Sequence, residues 1–197
     1  MRGALIAFEG LDQSGKQTQA ETLRDSLGAR GRRCELLSFP DYRTAIGAEI
    51  HHALHGKRDY APEVMQLLYV ANRYELKGQL TRLLDEGRVI LCDRYVASSI
   101  AYGEAQGVDG TWLAEIQRFL PAADLTILLD IPAEVAVDRK ASGRDRFERD
   151  VDLLRRVRES YRRQASDQRW VMVRGDRALE EVTADVQQVV WSRLALP

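Results

Sequence analysis

Five short runs of mostly apolar residues are spread along the chain, and they predict five buried β-strands. The runs are Ala4–Phe8, Cys34–Phe39, Val89–Cys92, Leu125–Asp130 and Trp170–Val173. Each run is continuous rather than alternating, which is typical of strands in a parallel sheet that is covered on both faces.

The segments between these strands show the spacing of amphipathic helices. One apolar stripe combines Val64, Leu67, Leu68 and Ala71 with Leu80, Leu83 and Leu84, and it ends at Gly87; a second combines Val182, Val186, Val189, Val190 and Leu194. Further helices are predicted at Ala133–Lys140 and Leu153–Gln164. The alternation of strands and helices predicts right-handed βαβ units and an α/β fold with a doubly wound, five-stranded parallel sheet. Because no internal repeat or linker interrupts the pattern, we expect a single domain over residues 1–197.

Composition narrows the possible partners. The chain has 197 residues, with 29 basic and 30 acidic side chains and a net charge of −1, which disfavours a general binder of nucleic-acid polymers or membrane surfaces. No apolar run approaches the roughly 18 residues that span a bilayer, and the apolar start of the chain, interrupted at Glu9, is too short for a signal peptide. Cys34 and Cys92 show no metal or redox spacing, so we expect free thiols and a cytoplasmic protein.

The segment after the first strand carries the clearest chemical signal. Gly10, Gly15 and Lys16 fit the pattern G-x-x-x-x-G-K between a strand and a helix, in which backbone N–H groups surround phosphate oxygens and the lysine adds a positive charge. The next position, normally a Ser or Thr that ligates Mg²⁺, is Gln17. Whether the Gln17 carbonyl holds the ion, or carboxylates and water do so, stays open.

Three weaker signals follow, each with a plain structural alternative. Asp93-Arg94-Tyr95 follows the third strand and suits magnesium and phosphate, or simply starts a helix. Tyr69 and Arg73 share a helix face and suit a nucleobase, or are a core tyrosine and a surface arginine. The basic segment 139–149 suits a lid over phosphates, or a solvated surface.

The histidines form a fourth group, His51, His52 and His55. The first and last are four residues apart, a spacing that also occurs in metal sites, but no third ligand accompanies them. We therefore interpret the group as the surface end of a helix.

Taken together, the segments resemble the thymidylate kinase family, which transfers the γ-phosphoryl group of ATP to dTMP. The resemblance rests on FEGLDQSGKQTQ, SFPDYRTAIG, LLYVANRYE, DRYVASSIAY and RKASGRDRFE, in this order along nearly the whole chain. It implies the P-loop fold of nucleoside monophosphate kinases with a lid at about residues 140–150, ATP as donor, Mg²⁺ as cofactor, a homodimer, and a place in dTTP biosynthesis.

The resemblance also implies roles for single residues. ATP would be bound by Gly10, Leu11, Asp12, Gln13, Ser14, Gly15, Lys16, Gln17, Thr18 and Arg139. The dTMP site would comprise Asp12, Phe39, Arg43, Leu54, Tyr69, Arg73, Arg94, Ser99 and Tyr102, with Tyr69 stacking on thymine and Arg73 bonding its edge. Catalysis would rest on Lys16, Asp93, Arg94 and two lid arginines, Arg144 and Arg146, with Asp93 as the magnesium ligand. The family's F-P-x-R pattern has Tyr42 in place of its arginine, so Arg43 would reach the dTMP phosphate only after a shift of one residue.

The implied mechanism is in-line transfer, in which a phosphate oxygen of dTMP is the nucleophile and no strong general base is needed. One alternative is a kinase for another pyrimidine nucleotide or a deoxynucleoside. Another, suggested by Gln17, is a catalytically weak nucleotide-binding protein. A GTPase is disfavoured because the chain has no N-K-x-D motif.

Overall fold

The computed structural model describes residues 2–139 and 150–194, and a five-stranded parallel sheet forms its centre. The strands are β1 (Ala4–Glu9), β2 (Cys34–Ser38), β3 (Val89–Asp93), β4 (Leu125–Asp130) and β5 (Trp170–Arg174), in the order β2-β3-β1-β4-β5. All five predicted strands are present, and their ends differ from the prediction by at most one residue. The predicted α/β fold with a five-stranded parallel sheet is confirmed.

Helices cover both faces of this sheet. They are α1 (Lys16–Ala29), α2 (Ala45–Leu54), α3 (Pro62–Glu75), α4 (Lys77–Asp85), α5 (Val96–Ala105), α6 (Gly110–Glu115), α7 (Ala133–Asp138), α8 (Val151–Gln164) and α9 (Leu179–Arg193). On one face, α1 and α9 bury side chains such as Leu23 and Val186 against Phe8 and Ile127. On the other, α5 and α8 pack over Leu128 while α4 packs over Ile90. Burial on both faces explains why the strands are apolar throughout.

The predicted stripe from Val64 to Leu84 is wrong at Val64 and Leu67, whereas Leu68 packs against a small core cluster. The chain forms two helices that meet at Leu76, and Val64 and Leu67 are 40% and 45% exposed. The face of α3 that is buried carries polar side chains, including Asn72 and Arg73, because hydrogen-bond partners on neighbouring segments satisfy them.

Two helix boundaries also differ from the prediction. The helix predicted at Ala133–Lys140 ends at Asp138, and Lys140 lies outside the described residues. Helix α8 begins before Leu153, because the Asp150 carboxylate accepts a hydrogen bond of 2.9 Å from the Leu153 N–H and caps the helix.

The strand order places the loops that follow β1, β2 and β3 at one edge of the sheet. In a parallel sheet these carboxyl ends form the usual ligand-binding crevice. The Phe39 N–H, just after β2, donates to the Asp93 carbonyl at 2.9 Å and ties two of the loops together. No helix within the described part of the chain is long and apolar enough to cross a membrane.

Candidate active site

The loop between β1 and α1 has the conformation of a phosphate-binding loop. Gln13 has a φ of 63° and Gly15 a φ of 93°, in the left-handed region that such a loop requires. The Lys16 ammonium is buried and donates to the Leu11 carbonyl at 2.8 Å. Burial, together with the nearby charge of Arg94, lowers the pKa of Lys16 from its ordinary 10.5 to about 8.

Gln17 lies on the solvent side of α1. Its Nε2 donates to Glu21 Oε1 at 2.9 Å, one helical turn further along, and Thr18 is exposed as well. In this conformation the Gln17 side chain is exposed and paired with Glu21. Asp93 has a buried carboxylate oxygen, Oδ1, with no hydrogen-bond partner among the described residues.

Arg94 joins the phosphate loop to the neighbouring pocket. Its Nη2 donates to Asp12 Oδ1 at 2.7 Å and to the Tyr102 hydroxyl at 3.2 Å, and its Nη1 lies 3.2 Å from the Gly10 carbonyl oxygen. Burial alone would raise the pKa of Asp12, but the charges of Arg94 and Lys16 hold it well below its usual range. The Asp12 carboxylate is therefore charged throughout the physiological pH range.

A buried network fixes the backbone beside Arg94. Arg94 has a φ of 64°, which is uncommon for a residue with a side chain. The next N–H, that of Tyr95, donates to Glu9 Oε1 at 2.8 Å. The hydroxyls of Ser98 and Tyr161 donate to Glu9 Oε2 at 2.6 and 3.1 Å, and both also lie within 3.2 Å of Arg94 Nη1. The network thus holds Arg94 from the strand, from α5 and from α8.

A pocket opens next to Arg94, and most of the residues predicted for dTMP line it. The predicted lining residues are Asp12, Phe39, Leu54, Tyr69, Arg73, Arg94, Ser99 and Tyr102. Arg73 is 2% exposed, donates from Nε to Gln117 Oε1 at 2.9 Å, and contacts the Ser99 hydroxyl through Nη2. Burial lowers the pKa of Arg73 to about 10, so its guanidinium stays charged at neutral pH.

Arg43 is the predicted dTMP residue that does not line the pocket. Its guanidinium forms two hydrogen bonds with Asp41, of 2.8 and 2.7 Å, and its side chain is 83% exposed. Tyr42 lines the pocket instead, with its ring 5.4 Å from that of His51. The one-residue shift considered for Arg43 is therefore not found in this conformation.

Arg139 connects the phosphate loop to the segment after β5. Its guanidinium donates to the carbonyls of Gln13 at 3.1 Å and Gly175 at 2.9 Å. The other basic residues of the predicted lid, including Arg144 and Arg146, lie outside the described residues.

The histidines lie at the end of α2, as predicted. The rings of His51 and His55 stack with centroids 4.0 Å apart. Over residues 2–139 and 150–194, no group of three His, Cys, Asp or Glu side chains is arranged to hold a metal ion.

Sequence reasoning missed several residues of the site. Glu9 carried a detectable signal, since a carboxylate at the end of an apolar strand is unusual. Gln66, which lines the pocket, precedes Tyr69 by three residues and shares its helix face. Tyr161 carried no signal, because its partners are far away in the sequence.

Comparison with known proteins gives one family. A family model described as thymidylate kinase matches residues 8–186. The chain is 37% identical to a thymidylate kinase of Arabidopsis thaliana, over 98% of this chain and 73% of that protein. It is 33% identical to a human thymidylate kinase, over 94% of this chain and 89% of that protein. Among solved structures it is similar to a thymidylate kinase of Candida albicans, with a TM-score of 0.86 and 31% identity, covering 97% of this chain and 92% of that one.

Proposed function

The chain belongs to the thymidylate kinase family and is therefore an enzyme that phosphorylates dTMP, and we propose that it transfers the γ-phosphoryl group of ATP directly to a phosphate oxygen of dTMP. The observation that carries this proposal is the position of Arg94. Its guanidinium donates a hydrogen bond to the Gly10 carbonyl of the phosphate loop, and it also lines the acceptor pocket beside Asp12. One cation therefore adjoins both places where phosphate groups would meet.

In this mechanism the protein aligns two anions and neutralises the charge that develops between them. Lys16 and the backbone N–H groups of the loop bind the donor phosphates. Arg94 sits between donor and acceptor, and Asp12 and the Glu9 network keep its guanidinium in place. Donors that are fixed before the reaction need no reorganisation during it, which is the main source of electrostatic catalysis.

Mg²⁺ is the cofactor that ATP chemistry implies, and Asp93 fits it. An unpartnered, buried carboxylate oxygen next to the phosphate loop is a suitable ligand for a hard cation. We propose that Asp93 holds the ion while phosphates and water supply the other ligands. When bound, Mg²⁺ neutralises charge on the transferring phosphoryl group.

On the donor side, Arg139 is proposed to lie against the adenine, supported by its hydrogen bonds to the loop and to Gly175. We also propose a single domain with a lid at about residues 140–150, whose arginines Arg144 and Arg146 would complete the charge around the phosphates.

We propose a homodimer that packs through the outer face of α3. Val64 and Leu67 lie one turn apart on this face and are exposed, and large apolar side chains in such positions commonly mark an interface. A cytoplasmic location is proposed from the two free cysteines, since free thiols are typical of reducing compartments.

The test is a panel of acceptors in an assay of ADP release. We expect dTMP to give the highest kcat/KM, with dUMP, dCMP and thymidine lower. The range of acceptors is itself of interest, because the related Candida albicans enzyme is described as having broad substrate specificity. ADP release that no acceptor stimulates would contradict the proposal and support a nucleotide-binding protein without kinase activity.

A further inference from the structure

Gln66 is a buried polar residue of the acceptor pocket that the mechanism above does not use. It lies on α3, three residues before Tyr69 and seven before Arg73, so the three side chains share one helix face. Its residue is only 1% exposed. A glutamine at this depth requires a reason, because burying an amide without hydrogen-bond partners destabilises the folded protein.

Both polar atoms of the Gln66 side chain, Oε1 and Nε2, lack a hydrogen-bond partner within the described part of the chain. Gln117, a second buried glutamine nearby, differs in this respect. Its Oε1 accepts from Arg73, and its Nε2 donates to the Leu113 carbonyl at 2.8 Å. The unpartnered amide is therefore a property of Gln66 and not of buried glutamines in this region.

The stem of Gln66 is held in place by α5. A Cβ built at Gly103 would lie 3.4 Å from Gln66 Cγ, so the stem of Gln66 lies directly against this position of α5. The same Cβ would lie only 2.3 Å from Leu113 Cδ1, so the packing of α6 against α5 requires a glycine here. Ser99, four residues before Gly103 on α5, accepts a hydrogen bond from the guanidinium of Arg73. Gln66 and Arg73 both lie on the side of α3 that packs against α5, and both line the same pocket.

We propose that Gln66 is a specificity-determining residue that binds the N3–H edge of the thymine or uracil base of the acceptor. This inference rests on the proposed function and deepens it. The edge of such a base presents a carbonyl, the N3–H donor and a second carbonyl. Arg73 offers donors only and can bind a carbonyl, so the N3–H needs an acceptor from another residue.

Gln66 Oε1 lines the same pocket as Arg73 and is an acceptor without a partner among the residues that the structure describes. The Ser99 hydroxyl already accepts a hydrogen bond from Arg73, and the Asp12 carboxylate accepts hydrogen bonds from Arg94 and Tyr102. With Oε1 accepting from N3–H, the Nε2 group of the same amide can donate to the adjacent carbonyl. Both unpartnered atoms of Gln66 are then satisfied by one ligand.

The experiment compares dTMP with its N3-methyl analogue, which has no hydrogen on N3. In the unmodified protein, we expect kcat/KM for dTMP to exceed that for the analogue by a large factor, because the buried amide rejects a base that cannot pair with it. In Gln66→Met, which keeps the length of the side chain and loses both polar atoms, we expect this ratio to fall about tenfold, with the loss for dTMP mainly in KM.

Gln106→Met is the matched control. This pocket glutamine already donates from Nε2 to the Tyr102 carbonyl at 2.7 Å, so its loss should leave the ratio between the two acceptors unchanged. If Gln66→Met lowers kcat/KM for both acceptors by the same factor, Gln66 is only a packing residue and the inference is overturned. If the unmodified protein does not phosphorylate dTMP at all, the proposed function fails first and the inference falls with it.

A second measurement uses the unmodified protein and does not depend on the folding of a variant. The side-chain amide resonances of Gln66, observed by NMR on protein labelled at glutamine nitrogen, should shift when dTMP binds. They should not shift in the same way with deoxyribose 5-phosphate, which lacks the base. Unchanged Gln66 resonances in the presence of saturating dTMP would contradict the inference.

Discussion

Single residues of this site hold charge in places where charge is costly. Lys16 is 6% exposed and Arg73 is 2% exposed, and burial lowers the pKa of both. Neither has a salt bridge within the described part of the chain. A buried charge of this kind is stabilised when an anion or a polar base binds to it. The cost of these charges in the free protein is therefore consistent with the binding roles that we propose for Lys16 and Arg73.

Lys16→Met should therefore increase stability at neutral pH while it destroys activity. The drop in the Lys16 pKa from 10.5 to about 8 corresponds to about 3 kcal/mol against the folded state, and the lost hydrogen bond to Leu11 offsets about 1 kcal/mol of the gain. Below pH 8, Lys16 is protonated in both the folded and the unfolded protein, and the full free-energy cost of burying its charge applies. Between pH 8 and 10.5 the folded protein loses the proton first, so the unmodified protein gains stability relative to the variant as pH rises.

Urea denaturation of both proteins at pH 7 and pH 9.5 checks this. We expect the variant to be more stable by about 2 kcal/mol at pH 7 and by less at pH 9.5. A variant that is less stable at pH 7 would show that Lys16 carries no such cost.

The network around Glu9 leads to a second residue-scale prediction. Tyr161→Phe removes the hydroxyl that forms hydrogen bonds with Glu9 and Arg94, and it leaves the aromatic ring in place. We expect kcat to fall several-fold, with KM for ATP nearly unchanged, and the free energy of unfolding to fall by about 1 kcal/mol.

Tyr60→Phe serves as the control for that change. It removes a hydroxyl that donates to Glu49 Oε1 at 2.6 Å, at a position outside the acceptor pocket. An equal effect of the two substitutions on kcat would show that the Tyr161 hydroxyl does not position Arg94.

Which residues could be predicted depends on how local their signals are. The phosphate loop is recognisable because its glycines and Lys16 are contiguous, and Tyr69 and Arg73 because they share a turn of helix. Tyr161 lies 152 residues from Glu9, and its role is visible only after folding brings α8 against β1. Gln66 was within reach of the same helix-face argument that identified Tyr69, but a glutamine carries no chemical signal until its burial is known.

At the scale of elements, the strands were predictable and one helix face was not. Burial on both faces makes each strand apolar throughout, so the sequence marks its position closely. Helix α3 departs from the usual rule, because its buried side chains include Gln66 and Arg73 beside Met65 and Val70, while Val64 and Leu67 are exposed. A hydrophobic pattern alone therefore assigns the wrong face to a helix that builds a polar site.

The outer face of α3 gives the prediction at this scale. Leu67→Glu places a charge on the proposed dimer interface, and we expect it to convert a dimer to a monomer in light scattering coupled to gel filtration. Leu179→Glu is the matched control, since Leu179 is also an exposed leucine, 53% accessible, but lies on α9. An unmodified protein that is monomeric, or a Leu67→Glu protein that remains dimeric, would contradict this interface.

At the scale of the whole molecule, the net charge of −1 does not show that basic and acidic side chains have different roles at the site. Cations with buried side chains gather where β1 and β3 end, and acidic groups such as Asp12 and Glu9 hold them in place rather than cancel them at the surface. The sheet order brings these strands side by side, so the fold itself assembles a site for two phosphorylated substrates.

The most direct measurement follows both products of a single reaction. With ATP, Mg²⁺ and dTMP, we expect dTDP and ADP to form in equal amounts. Both should fall at least about 100-fold in Arg94→Ala, which removes the cation that we propose to lie between donor and acceptor. ADP formed without dTDP, or an Arg94→Ala protein with nearly normal turnover, would contradict phosphoryl transfer to dTMP at this site.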